Sequence, residues 1–127
     1  MSILAIEHAQ LAMPKGGEDL ARAFYRDVLG LPEVAKPAPL AARGGCWFEN
    51  GVTKLHLGVE DDFRPAKKAH VALKVDGLDA ILERARAAGC EVQGPEPFGG
   101  DRQAYVFDLF GNRLELLEAL PHREDIG

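Results

Sequence analysis

Apolar and polar residues alternate along several short stretches of this chain and recur at helical spacing in two others. Ile3 to Met13 alternates weakly, which predicts a strand with Ile6, His8 and Gln10 on one face. Pro14 to Gly17 break it. Asp19 to Leu29 then carries Leu20, Phe24 and Val28 at i, i+4 and i+8, with Ala23 beside them, and predicts an amphipathic helix ended by Gly30. Glu33 to Arg43 reads as an extended edge strand interrupted by Pro37 and Pro39. Cys46 to Glu49, the turn Asn50-Gly51 and Thr53 to Glu60 read as a hairpin, with Leu55, Leu57 and Val59 on one face and Lys54, His56 and Gly58 on the other.

The polar stretch Glu60 to Lys67 reads as a linker, after which the pattern starts again. Ala69, Val71, Leu73 and Val75 form one face of a strand, opposite Lys68, His70 and Ala72. Asp76 is placed to cap a helix from about Leu78 to Ala88, with Leu78, Ile81, Leu82 and Ala85 inward and Gly89 at its end. Cys90 to Val92 begins a strand that Pro95 and Pro97 interrupt. Ala104 to Ala119 reads as strand, turn, strand, with Asp108 to Asn112 in the turn. On its last strand Leu114 and Leu116 face one way, and Arg113, Glu115 and Leu117 the other. The order is therefore β-α-β-β-β written twice, an α+β chain. One domain spans residues 1–127, with one module at about 1–60 and a second at about 68–120.

Composition narrows the function. A chain of 127 residues with 46% hydrophobic content suits a single globular domain. The net charge is −5 and its bases are mixed among acids, so nucleic acid is not an expected partner. No apolar run is long enough to span a bilayer, and no signal peptide opens the chain. Cys46 and Cys90 lie outside any CxxC pattern and point to a reducing cytoplasm and plain packing rather than to a disulfide.

The repeat organises the candidate chemistry. His8 and His70 lie 62 residues apart, and His56 and Glu115 lie 59 apart. Each half thus carries one metal-type side chain on its first strand and one on its last. A carboxylate on the inner face of a half-buried strand needs an arginine, a water or a metal ion as partner. With three histidines on similarly placed strands, Glu115 reads as a metal ligand. If the first and last strands of each half meet near the middle, His8, His56, His70 and Glu115 converge. Such a donor set suits Zn, Fe, Ni, Co or Mn. His122 lies in a polar tail and is left out. Tyr105, Trp47, Phe48, Phe98 and Phe107 can line a pocket or fill a core. Arg102 and Arg113 can meet an anionic substrate group or stand exposed with no such role, and Lys67 and Lys68 read as solvated linker charge.

The stretches IEHAQLAM, FYRDVLGL, KLHLGVE, KAHVALKV and FDLFGNRLELLE together resemble the vicinal oxygen chelate superfamily. This is the glyoxalase, bleomycin-resistance and extradiol-dioxygenase group. The last stretch is similar to its F-x-D-P-x-G-N-x-x-E-L signature, with Leu109 where proline is usual. The resemblance implies paired βαβββ modules curved into a cleft around a divalent metal. It implies His8, His70 and Glu115 as ligands, and a dimer that covers strand edges and inner-sheet faces. Glyoxalase I has a carboxylate at the position of His56, so histidine there implies a weak isomerase and a site that holds chelating anions well. Fosfomycin thiol transferases have a similar triad, with a substrate-contacting tyrosine at the position of Tyr105, but no serine-rich loop like theirs occurs near Pro95 to Asp101. The resemblance thus implies a metal-dependent enzyme with a small oxygen-chelating substrate, doing lyase, isomerase or thiol-transfer chemistry. Ring-cleaving dioxygenation and drug sequestration are the alternatives.

Overall fold

The alternating stretches become strands wherever a neighbour is present to pair with them. The computed structural model of the protein describes residues 1–121; His122 lies outside them. The first half contains β1 (Ala9–Met13), α1 (Glu18–Ala21) running into a π-helical segment (Arg22–Val28), β2 (Glu33–Val34), α2 (Ala38–Ala41), β3 (Cys46–Glu49) and β4 (Lys54–Val59). The second contains β5 (Val71–Lys74), α3 (Leu78–Ala87), β6 (Val92–Phe98), β7 (Asp101–Phe107) and β8 (Arg113–Ala119). Two four-stranded sheets result, ordered β1-β4-β3-β2 and β5-β8-β7-β6. In each, the first strand lies parallel to the last and the other pairings are antiparallel. The architecture is α+β with the predicted repeat.

Both halves feed one core. Phe24, Tyr25 and Val28 from the π-helical segment meet Leu78 and Leu82 of α3, Leu55 and Leu57 of β4, and Leu114 and Leu116 of β8. Burying each leucine stabilises the fold by about 2 kcal/mol. A polar lock joins the halves at the turn before β8. The Tyr25 hydroxyl donates to Asp108 Oδ2 at 2.7 Å, and Asn112 Nδ2 donates to Asp108 Oδ2 at 3.0 Å and to the Ala12 carbonyl at 2.9 Å. Asp108 Oδ1 accepts the backbone N–H groups of Phe110 and Asn112, both at 2.9 Å. Gly111 takes φ 94°, which the tight turn requires and only glycine adopts readily.

Five local expectations change. The first strand begins at Ala9, not Ile3. Its neighbour among the described residues, β4, pairs with it from Ala9 onward, so Ile3, Leu4 and Ile6 stand 94%, 93% and 87% exposed. In the first helix the π-helical widening turns Ala21, Phe24, Tyr25 and Val28 inward, and Leu20 is left 48% exposed. The Glu33 to Arg43 stretch is a two-residue strand followed by α2, because Pro37 and Pro39 sit at the start of a helical turn, where a missing N–H costs nothing. Pro95 and Pro97 interrupt β6 without ending it, and the strand runs on to Phe98. It is an edge strand, and its register shifts between Gln93 and Glu96.

The fifth change is the cap of α3. Asp76 does not supply it; Glu118 on β8 does, accepting the Gly77 and Leu78 N–H groups at 2.8 and 3.1 Å. Glu118→Ala should therefore lower stability by about 1–2 kcal/mol through loss of the cap, while Asp76→Ala changes it little. Urea unfolding of the two variants distinguishes the caps, and the reverse ranking would refute this assignment.

Candidate functional site

The second sheet gathers a polar face from three strands. His70 stands just before β5, Glu115 lies on β8, and Gln103 and Tyr105 lie on β7, with Tyr105 directly opposite Glu115. His70 Nε2 and Glu115 Oε1 are 2.9 Å apart. The other ring nitrogen, Nδ1, lies 2.9 Å from the Lys68 carbonyl, which can only accept, so Nδ1 carries a proton. Gln103 Nε2 donates to the second Glu115 oxygen at 2.7 Å. The Lys68 carbonyl, and after it Glu115, raises the His70 pKa. The Gln103 amide, and after it His70, lowers that of Glu115. Each partner of the pair is aimed by a further hydrogen bond, His70 by the Lys68 carbonyl and Glu115 by Gln103.

This donor chemistry fits a divalent cation. With Nδ1 tied to a carbonyl, Nε2 is the nitrogen a metal would take, and with one carboxylate oxygen held by Gln103 the other is presented beside it. Arg113 lies on the same face. Its guanidinium sits 4.7 Å from the Tyr105 ring centroid and 5.6 Å from that of Phe107. Its Nε is buried and without a hydrogen-bond partner among the described residues.

His8 and His56 form a separate pair on the first sheet. Their rings stack at 4.4 Å, and the far face of His56 stacks on Trp47 at 4.0 Å and 3°. His56 Nε2 lies 2.7 Å from Glu49 Oε2, and His8 Nδ1 lies 2.9 Å from Glu7 Oε1. The expected convergence of four side chains within one chain therefore does not occur; two pairs form instead. Among the described residues no three His, Cys, Asp or Glu side chains are placed to hold one ion. The reason is that each sheet brings its own first and last strands together, whereas nothing in the strand order pairs one sheet with the other.

Other candidates have structural employment. Arg102 is tied to Asp79 at 2.8 Å and to Glu118 at 3.4 Å. Phe48 is core, Phe107 is buried and Phe98 is exposed. Gln103, Glu49 and the Lys68 carbonyl were not legible as site groups. Gln103 does share the alternation of Tyr105, which is the one signal that could have found it.

Residues 9–116 match the family described as the Glyoxalase/Bleomycin resistance protein/Dioxygenase superfamily. A search of the curated proteins finds no match. Among solved structures, a protein assigned to the glyoxalase family from Bacillus anthracis is 42% identical with a TM-score of 0.86, over 94% of this chain and 98% of that one. The antibiotic binding protein TnmS3 from Streptomyces sp. CB03234 is 25% identical with a TM-score of 0.68, over 93% and 100%. The fosfomycin resistance protein FosX from Listeria monocytogenes, complexed with Mn(II) and sulfate, shares the fold at 19% identity and a TM-score of 0.73, over 94% and 93%. With the repeated sheet order and the matched residues together, this chain belongs to the Glyoxalase/Bleomycin resistance protein/Dioxygenase superfamily.

Proposed function

We propose that this protein is a metal-dependent enzyme that binds a small substrate through neighbouring oxygens and transforms it by lyase, isomerase or thiol-transfer chemistry. The carrying observation is the His70–Glu115 pair, with Nε2 and one carboxylate oxygen adjacent and the remaining atoms fixed by Lys68 and Gln103. A divalent ion there supplies Lewis-acid polarisation of the substrate oxygens. Mn(II) is the first ion to load, because FosX carries it; Zn, Ni, Co and Fe suit the same donors. Arg113 brings positive charge to the same face for an anionic substrate oxygen, and the Tyr105 hydroxyl can donate to the substrate from the strand opposite Glu115. Two buried, unbridged thiols suit a reducing cytoplasm.

The third ligand is His8, and a second copy of the chain delivers it. β1 and β5 are edge strands of their sheets, and the apolar arm around Ile3, Leu4 and Ile6 is exposed beside one of them. Pairing these edges in a symmetric dimer would cover the arm and bring His8 of one copy to the His70–Glu115 pair of the other. His8→Ala and Glu115→Ala should each bind little Mn(II). Mixed as heterodimers they should regain about one quarter of the wild-type stoichiometry, since half the dimers are hybrid and each hybrid holds one intact site. No recovery in verified hybrids would refute the shared site, and a monomer mass in sedimentation would refute the dimer.

A second reading has one observation in its favour. The stacked Trp47, His56 and His8 rings make a flat face on which an aromatic ligand can lie, and TnmS3 is an antibiotic binder. A sequestering protein would bind such a ligand equally well with and without metal.

A further inference from the structure

A cavity of about 300 Å³ opens on the first sheet beside Trp47, away from the His70–Glu115 pair. Its rim carries Lys36 and Arg43 from the segment around α2, and Gln10 from β1. Trp47, Leu40 and Val59 supply apolar wall. No Asp or Glu lines it. In a chain of net charge −5, a concave site with two cations and no acid is a pointed exception. The nearby carboxylate of Glu18 is engaged by the Gly45 N–H at 2.8 Å. Lys36 is anchored, donating to the Gly44 carbonyl. The Arg43 guanidinium has no hydrogen-bond partner among the described residues, so its donors are available to a ligand. Gly58 lets the rim form: a Cβ there would lie 2.5 Å from Gln10 Nε2.

The cavity is also placed to serve the candidate centre. Gln10 on β1 lies directly opposite His56, the ring on which His8 stacks. Trp47 lines the cavity and also stacks on His56, which in turn stacks on His8. A ligand reaching from His8 over this aromatic face arrives at Lys36 and Arg43.

We propose that Lys36, Arg43 and Gln10 form an anion subsite that takes a carboxylate or phosphate on a short apolar body. The substrate is accordingly a chelating molecule with a second anionic group remote from its chelating oxygens. The placement of that second group rests on the function proposed above; the subsite itself does not require the metal. Arg and Lys contribute charge-assisted hydrogen bonds to the oxyanion, Gln10 a neutral one, and Trp47 a face for the body.

Trp47 is the only tryptophan in the chain, so its fluorescence reports directly on the cavity. Metal-free protein is titrated with phenyl phosphate, with benzoate, and with benzyl alcohol as the neutral control. At least one anion should change Trp47 emission saturably, and the tighter one identifies the head group. Arg43→Gln and Lys36→Met should each weaken it roughly 10-fold or more, as expected for loss of a charged hydrogen bond. Arg43 is exposed and holds no described side-chain contact, so Arg43→Gln tests the subsite without threatening the fold. Anion affinity unchanged in Arg43→Gln, equal binding of benzyl alcohol, or no saturable response would each overturn the subsite. Failure of the metal centre instead appears as absent Mn(II) binding with the anion titrations intact.

Discussion

Glu115→Ala should reduce Mn(II) affinity by more than about 100-fold, the largest functional effect expected of a single substitution here. Glu115 is the carboxylate that pairs with His70 among the described residues, and it would supply the negative charge that offsets a dication. Without it, His70 and His8 would offer neutral nitrogen alone. Gln103→Leu sharpens the test. Gln103 would not touch the ion; it holds Glu115 Oε2 at 2.7 Å and so sets which oxygen is presented. Its loss should cost about 10- to 100-fold, less than loss of the ligand. Elemental analysis after dialysis, with affinities from competition against a chelator, measures both. If Glu115→Ala retains wild-type stoichiometry, the ion is held elsewhere and the assignment of this face fails.

Asp108→Ala should destabilise the protein by about 3–5 kcal/mol, a large share of the 5–15 kcal/mol typical of a domain. Asp108 accepts from the Tyr25 hydroxyl, Asn112 Nδ2 and two backbone N–H groups, all close to the core. Burial pushes its carboxyl pKa up, while these donors pull it down. Removing the acceptor strands the donors of Tyr25 and Asn112, which are 0% and 1% exposed. Tyr25→Phe removes one donor and leaves Asp108 its other partners, so its cost should be nearer 1–2 kcal/mol. Urea denaturation of the two variants gives the comparison. Equal costs would mean that Asp108 acts only through Tyr25, and that the turn closes without it.

Residues with short-range partners were the most readable in this chain. The turn from Asp108 to Asn112, the alternation of Leu114 and Leu116 against Glu115, and the amphipathic face of α3 depend on neighbours a few positions away. The spacing put His8 and His70, and His56 and Glu115, at repeat-related positions, and the parallel pairing of first and last strands does recur in both halves. Groups that engage distant partners were not readable. Glu118 capping α3 and Arg102 paired with Asp79 are contacts between elements whose sequence separation carries no periodic signal.

The sequence by itself determined the repeated β-α-β-β-β order, the inward apolar faces and the residue types available for metal chemistry, since side-chain period and turn chemistry are local properties of the backbone. Only the tertiary structure decided how those residues are grouped. Each sheet closes on its own first and last strands, so it pairs His8 with His56 and His70 with Glu115. The proline-bearing segment folds as a turn of helix rather than as a strand, and brings Lys36 and Arg43 to the rim beside Trp47. Which side chains meet across a sheet or a loop is set by register and packing of elements far apart in the chain, and residue spacing does not encode that.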